Sequence, residues 1–392
     1  MKTPPNTRDT AAPSGGDSAP GAELDPGRPH ILDCTEGELR DWVLERGHAK
    51  FRAKQIWGWL FERRAQSFED MTDLPKTLRV ELHEAFRFWT SHVNDHQVAD
   101  DGTEKFLLDL ADGGRVECVL LRDGPRRSIC VSSQVGCAMG CVFCASGLDG
   151  VDRNLSRGEI LEQMLLLQRL LPDEERLSHI VMMGMGEPLA NLDSVLDSLE
   201  VAKDKHGLGI SPRRITISTV GLPKSIDRLA KHSTPFHLAI SLHAPNDGLR
   251  DRLVPVNSKI GIEDILKSAD RYFDATGRRL TFEYVLLAGI NDSVACAKQL
   301  VQLLRGRVSM LNVIPYNPVA GLPYETPDSE TVFEFRDTLI EGGINVMFRQ
   351  RKGDGIDAAC GQLRRKRELV EGSLTQIDSI ASEETPSSES ST

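Results

Sequence analysis

Three closely spaced cysteines are the residues of this chain best suited to carry chemistry. Cys137, Cys141 and Cys144 follow one another at a C-x3-C-x2-C spacing. Thiolates are soft ligands that suit zinc and iron–sulfur clusters. A structural zinc ion takes four protein ligands, whereas a 4Fe–4S cluster held by three thiolates keeps one iron open to a substrate or cofactor. Because the run supplies three thiols, the spacing favours a reactive 4Fe–4S cluster.

A zinc site is the alternative interpretation of the same cysteines. Cys118 or Cys130 could act as a fourth ligand and complete a zinc knuckle. That interpretation predicts a colourless RNA-binding module, whereas a 4Fe–4S enzyme is brown and sensitive to air. The spacing alone leaves both open.

The elements that would position these cysteines form a strand–helix repeat beyond Arg127. Apolar segments that are typical of strands alternate with segments that have helical spacing. Alternation of this kind builds a parallel α/β sheet, either closed as a barrel or open and doubly wound. The predicted strands are 128–132, 179–183, 214–218, 236–242, 281–287, 308–314 and 345–349, and the predicted helices include 160–171, 222–231, 262–275 and 294–304.

Smaller regions flank the repeat. Thr35 and Glu38 have the spacing of a capping box before a helical pattern, and 105–110 alternates with 115–120 around a glycine-rich turn. The predicted organisation is a disordered tail at 1–29, a helical RNA-binding accessory domain at 30–88, a β-hairpin extension at 89–126, the strand–helix domain at 127–350, a loop with Cys360 at 351–365 and an acidic, mostly disordered tail at 366–392.

Composition narrows the class of protein. The 392 residues include eight cysteines, no run long enough to span a bilayer and no apolar segment near the N-terminus, so we expect a cytoplasmic protein with reactive or metal-binding thiols. Six of the eleven net negative charges come from residues 368–392, so net charge does not exclude a nucleic-acid partner. Two basic clusters are candidate RNA contacts or solvated surfaces: Lys50, Arg52, Lys54, Arg63 and Arg64 around Trp57 and Trp59, and Arg349, Arg351, Lys352, Arg364, Arg365, Lys366 and Arg367.

Polar residues follow several predicted strands at their carboxyl ends, where parallel α/β folds place their chemistry. Taken singly, each could cap a turn or helix. As a set beside the cysteines, they favour a cofactor pocket in which the Glu187 carboxylate accepts from an amino group. The candidate cofactor-binding residues are Gly186, Glu187, Ser218, Ser241, Leu242, His243 and Asn317.

Five motifs together resemble the radical-SAM RNA adenine methyltransferases, the RlmN/Cfr family. They are residues 130–137, the cysteine run through Gly147, and residues 184–189, 241–247 and 355–363. The similarity extends from about Thr35 to Leu363. Ser146 stands where the family often has Thr, and Gly355 where a second Asp is usual. The resemblance implies a partial (βα)6 barrel with a 4Fe–4S cluster in its mouth, and S-adenosylmethionine (SAM) as cofactor.

The resemblance also implies a substrate and a position of attack. The substrate is one adenine of 23S rRNA and, for the carbon-2 branch, the adenine that follows the anticodon of certain tRNAs. Val135 and Pro188 resemble the carbon-2 branch of the family. The carbon-8 branch is the alternative, and a radical-SAM enzyme with another substrate is a third.

By the same resemblance, three residues are catalytic. Cys360 takes a methyl group from one SAM, and a second SAM supplies the radical that activates this group for addition to the base. Cys130 then attacks the Cys360 sulfur and releases the product, while Glu117 accepts the proton of carbon 2. Cys360 lies between Ala359 and Gly361, and nearby basic residues would favour its thiolate. An electron donor and a disulfide reductant are implied as partners, and we expect a monomer with no membrane contact.

Overall fold

The computed structural model describes residues 27–348 and 353–363. Positions 1–26 of the predicted N-terminal tail, the whole predicted C-terminal tail and the second basic cluster lie outside these residues. Within the described part of the chain, no helix combines the length and apolar character needed to cross a bilayer.

The N-terminal region is helical, as predicted. It contains α1 (Glu36–Glu45), α2 (Phe51–Phe61) and α3 (Lys76–Ala85). The predicted capping box is confirmed, because the Thr35 side chain accepts from the Glu38 amide and the Glu38 side chain accepts from the Thr35 amide. Apolar side chains at helical spacing form the core of the region: Leu39, Val43, Ile56, Leu60, Leu78 and Leu82.

Three antiparallel strands follow the helices. They are β1 (Ser91–Val98), β2 (Glu104–Leu110) and β3 (Arg115–Asp123), of which the sequence indicated the last two. Strand β3 also pairs with β4 (Arg126–Cys130), the first strand of the parallel sheet. The hairpin is therefore continuous with the main sheet.

All seven predicted strands of the α/β region are present. They are β4 and six later strands, which run parallel to one another. With the three antiparallel strands they form a ten-stranded open sheet in the order β1-β2-β3-β4-β7-β8-β9-β10-β11-β12. The six later strands are β7 (His179–Met182), β8 (Ile215–Thr219), β9 (His237–Ser241), β10 (Leu280–Leu286), β11 (Ser309–Pro315) and β12 (Val346–Phe348), and the helices are α4 (Arg157–Arg169), α5 (Leu192–Lys203), α6 (Pro223–Ala230), α7 (Asp247–Leu253), α8 (Ile262–Thr276), α9 (Val294–Leu304) and α10 (Ser329–Glu341).

A separate two-stranded sheet pairs the segment before the cysteine run with the segment after it. It consists of β5 (Gln134–Gly136) and β6 (Val151–Asn154), with Gly136 opposite Val151. Gly136 has a φ of 78°, and a Cβ atom there would lie 2.1 Å from the Gly150 carbonyl oxygen. Only glycine allows this approach, which places Cys137 at the start of the loop. We call residues 137–147 the cluster loop.

Buried polar contacts join the helical region to the sheet. The Glu162 carboxylate on α4 accepts from the amides and hydroxyls of Thr90 and Ser91. Arg157 donates to the carbonyl oxygens of Leu32 and Cys34. These contacts fix the segment that leads into β1.

Candidate active site

The cluster loop holds three buried thiols on one short segment. Burial raises the pKa of Cys137 to about 12 and also raises the pKa values of Cys141 and Cys144. The backbone amides of Ser146 and Gly147 donate to the Cys144 sulfur and oppose part of this rise. The thiols are therefore protonated until a metal displaces their protons.

The chemistry of these thiols fits a 4Fe–4S cluster, because thiolates are the ligands of such clusters. Cys137, Cys141 and Cys144 lie close enough together for a charge on one to raise the pKa of another. These three residues would hold the cluster. Amides directed at a ligand sulfur are also typical of iron–sulfur sites.

The loop that carries Cys360, which we call the Cys360 loop (residues 353–363), is bonded to the cluster loop. The Ala145 amide donates to the Gly361 carbonyl oxygen at 2.8 Å, and the Ser146 hydroxyl donates to the Leu363 carbonyl oxygen at 2.7 Å. The Cys360 and Cys144 thiols are close enough for their charges to interact. Cys360 thus lies beside the predicted cluster, while the predicted thiolate-favouring residues Arg351 and Lys352 lie outside the described ranges.

Asn317 joins the Cys360 loop to the end of β11. Its Nδ2 donates to the Cys360 carbonyl oxygen at 3.2 Å. Its Oδ1 is buried and has no hydrogen-bond donor among the described residues. A buried acceptor without a donor is costly, so this atom suits a polar ligand such as SAM.

Glu187 is buried at the end of β7 and bridges two strand ends. Its carboxylate accepts from the amides of Leu189, at 2.9 Å, and Val220, at 2.8 Å. Burial raises its pKa to about 7. Gly186 has a φ of 101°, and a Cβ atom there would lie 2.6 Å from the Gln134 side chain. Both residues therefore have structural roles, and their contact with SAM stays a prediction.

A buried arginine organises the ends of β8 and β9. Arg250, on α7, donates to the carbonyl oxygens of Val220, Ser241 and Leu242 and to Oδ1 of Asn257. No sequence pattern predicts this role, because Arg250 reads only as a basic residue on a helix. Burial lowers the Arg250 pKa to about 10, so the side chain remains a cation near Cys141.

His243 follows Leu242 in a left-handed conformation, with a φ of 58°. Burial lowers its pKa to about 3, so the ring is neutral, and Nδ1 accepts from the Val285 amide at 3.1 Å. Its ring makes an edge contact with Phe143 of the cluster loop, with centroids 4.8 Å apart. His243 therefore links the cluster loop to β9 and β10. Ser218 is half-buried at the end of β8.

Glu117 and Cys130 lie on the same face of the sheet. Val119 on β3 is opposite Cys130 on β4, and Glu117 lies two residues from Val119, so the alternation of a strand puts all three on one face. Cys118 lies on the opposite face, fully buried. Glu117 is 2% exposed. Register thus places Cys130, and not Cys118, on the face of Glu117.

The first basic cluster is largely engaged in internal contacts. Trp57 belongs to the core, and Arg64 donates to carbonyl oxygens of Leu171 and Glu175. Arg63 pairs with Asp73 and stacks on Trp59. Arg52 donates to Gln55 and to the Asp73 carbonyl oxygen. Lys50, Lys54 and Arg63 are the exposed cations of the group, and of these Arg63 is paired with Asp73.

Two family descriptions match the chain. The Radical SAM superfamily matches residues 131–297, and the Ribosomal RNA large subunit methyltransferase N-terminal domain matches residues 30–87.

Relatives match over most of their length. A probable dual-specificity RNA methyltransferase RlmN from Rhodopirellula baltica is 67% identical over 87% of this chain and 92% of the relative. The protein of the same name from Bacillus licheniformis is 45% identical over 89% of this chain and 97% of the relative. The crystal structure of a radical SAM methyltransferase from Sphaerobacter thermophilus is 42% identical, with a TM-score of 0.84 over 86% of this chain and 99% of that one.

These matches confirm the resemblance seen in the motifs and the predicted α/β radical-SAM fold. They do not favour the carbon-8 branch, because the relatives carry the RlmN name. The chain therefore belongs to the dual-specificity RNA methyltransferase RlmN family of the Radical SAM superfamily.

Proposed function

We propose that this protein methylates carbon 2 of a specific adenine in 23S rRNA and of the adenine 3′ of the anticodon in tRNAs. The relatives are named as RNA methyltransferases, which supports RNA as the substrate. One structural observation carries the proposal. The Cys360 loop is bonded to the cluster loop on one side and to Lys105, on the sheet face of Glu117 and Cys130, on the other.

Members of the Radical SAM superfamily use a 4Fe–4S cluster and SAM, and these are the cofactors of this chain. Cys137, Cys141 and Cys144 would hold the cluster, and the residues at the strand ends, with Asn317, would contact SAM. When bound, these cofactors supply a methyl group to Cys360 and then a radical that removes one hydrogen of this methyl group. Two SAM molecules are therefore used in each turnover.

The reaction needs a carbon carrier because of the chemistry of the base. Carbon 2 of adenine lies between two ring nitrogens and is electron-poor, so it does not attack the electrophilic methyl group of SAM. Cys360 serves as the carrier, since its thiol is a good nucleophile and its loop is held beside the cluster loop. Addition of the carried carbon to the base joins protein and RNA through the Cys360 sulfur.

Release of the product uses the two groups on the sheet face. Glu117 accepts the proton of carbon 2, and the adduct radical gives up one electron, which returns to the oxidised electron donor, so that the base is aromatic again. The Cys130 thiolate attacks the Cys360 sulfur, forming an S–S bond and breaking the S–CH2 bond. The electron pair of the broken bond stays on the methylene carbon, which takes up a proton and becomes the methyl group. A dithiol reductant then returns both cysteines to thiols.

We also propose an RNA-binding surface, an electron donor and a cellular location for this enzyme. The helical region would contact RNA through phosphates and shape, with exposed cations that include Lys50 and Lys54. An external electron donor would serve the cluster. The enzyme would act as a monomer in the cytoplasm, where both RNA substrates are found.

Mass spectrometry of adenosines tests the proposed reaction. In cells that lack this protein, 2-methyladenosine should disappear from 23S rRNA and from tRNA, and the wild-type chain should restore it. Cys360→Ala should fail to restore it while the purified variant keeps its brown cluster. Cys296→Ala is the matched control, because Cys296 is a half-buried cysteine on α9.

Two results would contradict the proposal. Persistence of both 2-methyladenosines in the deletion strain would remove the assigned function. Loss of 8-methyladenosine instead would assign the enzyme to the carbon-8 branch.

A further inference from the structure

The hairpin of β1 and β2 contacts the Cys360 loop at three points. The Gly353 amide donates to Oδ2 of Asp101 at 3.0 Å, and Nζ of Lys105 donates to the Asp357 carbonyl oxygen at 3.2 Å. A Cβ atom at Gly353 would lie 3.0 Å from Cγ2 of Thr103, so the Thr103 side chain packs closely against the Gly353 backbone. The hairpin thus holds a loop that lies 252 residues away in the chain.

Lys105 also contacts Glu117. Its Nζ lies 3.3 Å from Oε1 of Glu117, and the two side chains are 5% and 2% exposed. Lys105 is opposite Val119 on β3, and Val119 is opposite Cys130 on β4. Lys105, Glu117 and Cys130 therefore share one face across three neighbouring strands.

A buried ion pair of this kind depends on both partners. Loss of one charge leaves the other buried without compensation, which is strongly unfavourable. A lysine has three donors and no acceptor, so one ammonium group can serve two acceptors at once. Here one acceptor is the carboxylate of Glu117 and the other belongs to the Cys360 loop.

We propose that Lys105 is a positioning residue for methyl transfer, which couples the proton acceptor Glu117 to the loop that carries Cys360. This role rests on the function proposed above. The ammonium group orients the Glu117 carboxylate by pairing with it, and it fixes the Cys360 loop through the Asp357 carbonyl oxygen. Lys105 thereby holds constant the distance between the Glu117 carboxylate, which takes the carbon-2 proton, and the Cys360 sulfur, which carries the methyl carbon.

Substitution of Lys105 should affect the late steps more than the early one. Methylation of Cys360 needs no proton acceptor for carbon 2, so Lys105→Met should methylate Cys360 within about threefold of the parent rate. Turnover should fall about 100-fold, at the low end of what a positioned general base contributes. Lys105→Arg keeps the positive charge and should recover at least tenfold of this loss.

The experiment uses the full-length enzyme with its cluster under anaerobic conditions and a 23S rRNA transcript as substrate. Three quantities are measured: 2-methyladenosine in the RNA, S-methylation of the Cys360 peptide by mass, and protein joined covalently to RNA on a denaturing gel. Lys105→Met should raise the ratio of joined complex to product at least tenfold, and Glu117→Gln should do the same. The double variant Lys105→Met/Glu117→Gln replaces the ion pair by a neutral pair, and its turnover should equal that of Glu117→Gln.

Hydrogen–deuterium exchange of residues 353–363 reports the loop separately from activity. Exchange should rise in Lys105→Met and return toward the parent value in Lys105→Arg. Arg122→Met is the matched control, because Arg122 contacts Gly102 and Glu104 of the same hairpin. It should leave the ratio of joined complex to product within threefold of the parent.

Several results would overturn the role of Lys105. One is that Lys105→Met turns over within threefold of an active parent, and another is that Lys105→Arg shows no recovery of turnover. The role is also overturned if the double variant is tenfold slower than Glu117→Gln. A rate of Cys360 methylation that falls as far as turnover does would overturn it as well. A parent that forms no 2-methyladenosine overturns the proposed function, and the role of Lys105 with it. The two failures are therefore distinguishable.

Discussion

Replacement of Arg250 by methionine tests whether one buried cation holds the strand ends at the cofactor side of the sheet. Arg250 is fully buried and donates four hydrogen bonds, three of them to the carbonyl oxygens of Val220, Ser241 and Leu242. Methionine fills much of the same volume and donates none. The Leu242 carbonyl oxygen still accepts from the Ala244 amide. Each other acceptor left buried without a donor costs about 1–3 kcal/mol, while removal of a buried charge offsets part of the loss. We expect a net loss of about 4 kcal/mol, within the range measured when one partner of a buried pair is removed.

Equilibrium unfolding in urea under anaerobic conditions measures this loss. For an m-value of about 3 kcal/mol/M, the midpoint should fall by roughly 1 M. Arg252→Met is the matched control, since Arg252 is exposed on the same helix and its substitution should change stability by no more than about 0.5 kcal/mol. Arg250→Lys should lie between the two. An Arg250→Met variant within about 1 kcal/mol of the parent would refute the reasoning.

Three further predictions concern the thiols, the Cys360 loop and pH. Cys130→Ala should stop product release, so that protein joined to RNA accumulates on a denaturing gel. Cys118→Ala is the control on the opposite face and should keep its turnover. An equal loss of turnover in the two variants would contradict the assignment from strand register. Ser146→Ala should lose the bond to Leu363, worth about 1 kcal/mol, and raise hydrogen exchange of 359–363 about fivefold, whereas Ser146→Thr should match the parent. Burial raises the Glu187 pKa from 4.5 to about 7. Between these pH values the folded cofactor-free protein binds one more proton at Glu187 than the unfolded chain does. Its free energy of unfolding therefore falls by about 3 kcal/mol as pH rises through this range. Glu187→Gln should remove that part of the slope in urea unfolding from pH 4.5 to 8, and an unchanged slope would contradict the assignment.

The parallel sheet could be predicted because its strands are apolar on both faces. Segments such as 179–183 and 236–242 read as continuous apolar runs, and each contains a strand of the sheet. Strand β1 was missed, because its exposed and half-buried residues at the edge of the sheet give no apolar alternation. Trp57 was assigned to a basic surface, but it shares the inward face of α2 with Ile56 and Leu60.

The site could be predicted where chemistry is local in sequence. The spacing of the cluster cysteines and the motif around Cys360 identified the reactive thiols. The roles of Lys105 and Arg250 could not be found in this way, because each depends on backbone carbonyls that the fold brings close. Glu187 has a typical ligand-binding position, yet its carboxylate also bridges two strand ends through backbone amides, which no motif records.

The bond between Ser146 and Leu363 joins residues 217 positions apart, and this separation has a consequence for biosynthesis. A ribosome adds roughly 5–20 residues per second, so Ser146 leaves the peptidyl-transferase centre roughly 10–40 s before Leu363. During that interval the nascent cysteine segment lacks the cover that the C-terminal loop later provides. The bonds from Ala145 and Ser146 to residues 361–363 can therefore form only after nearly all of the described chain has been made.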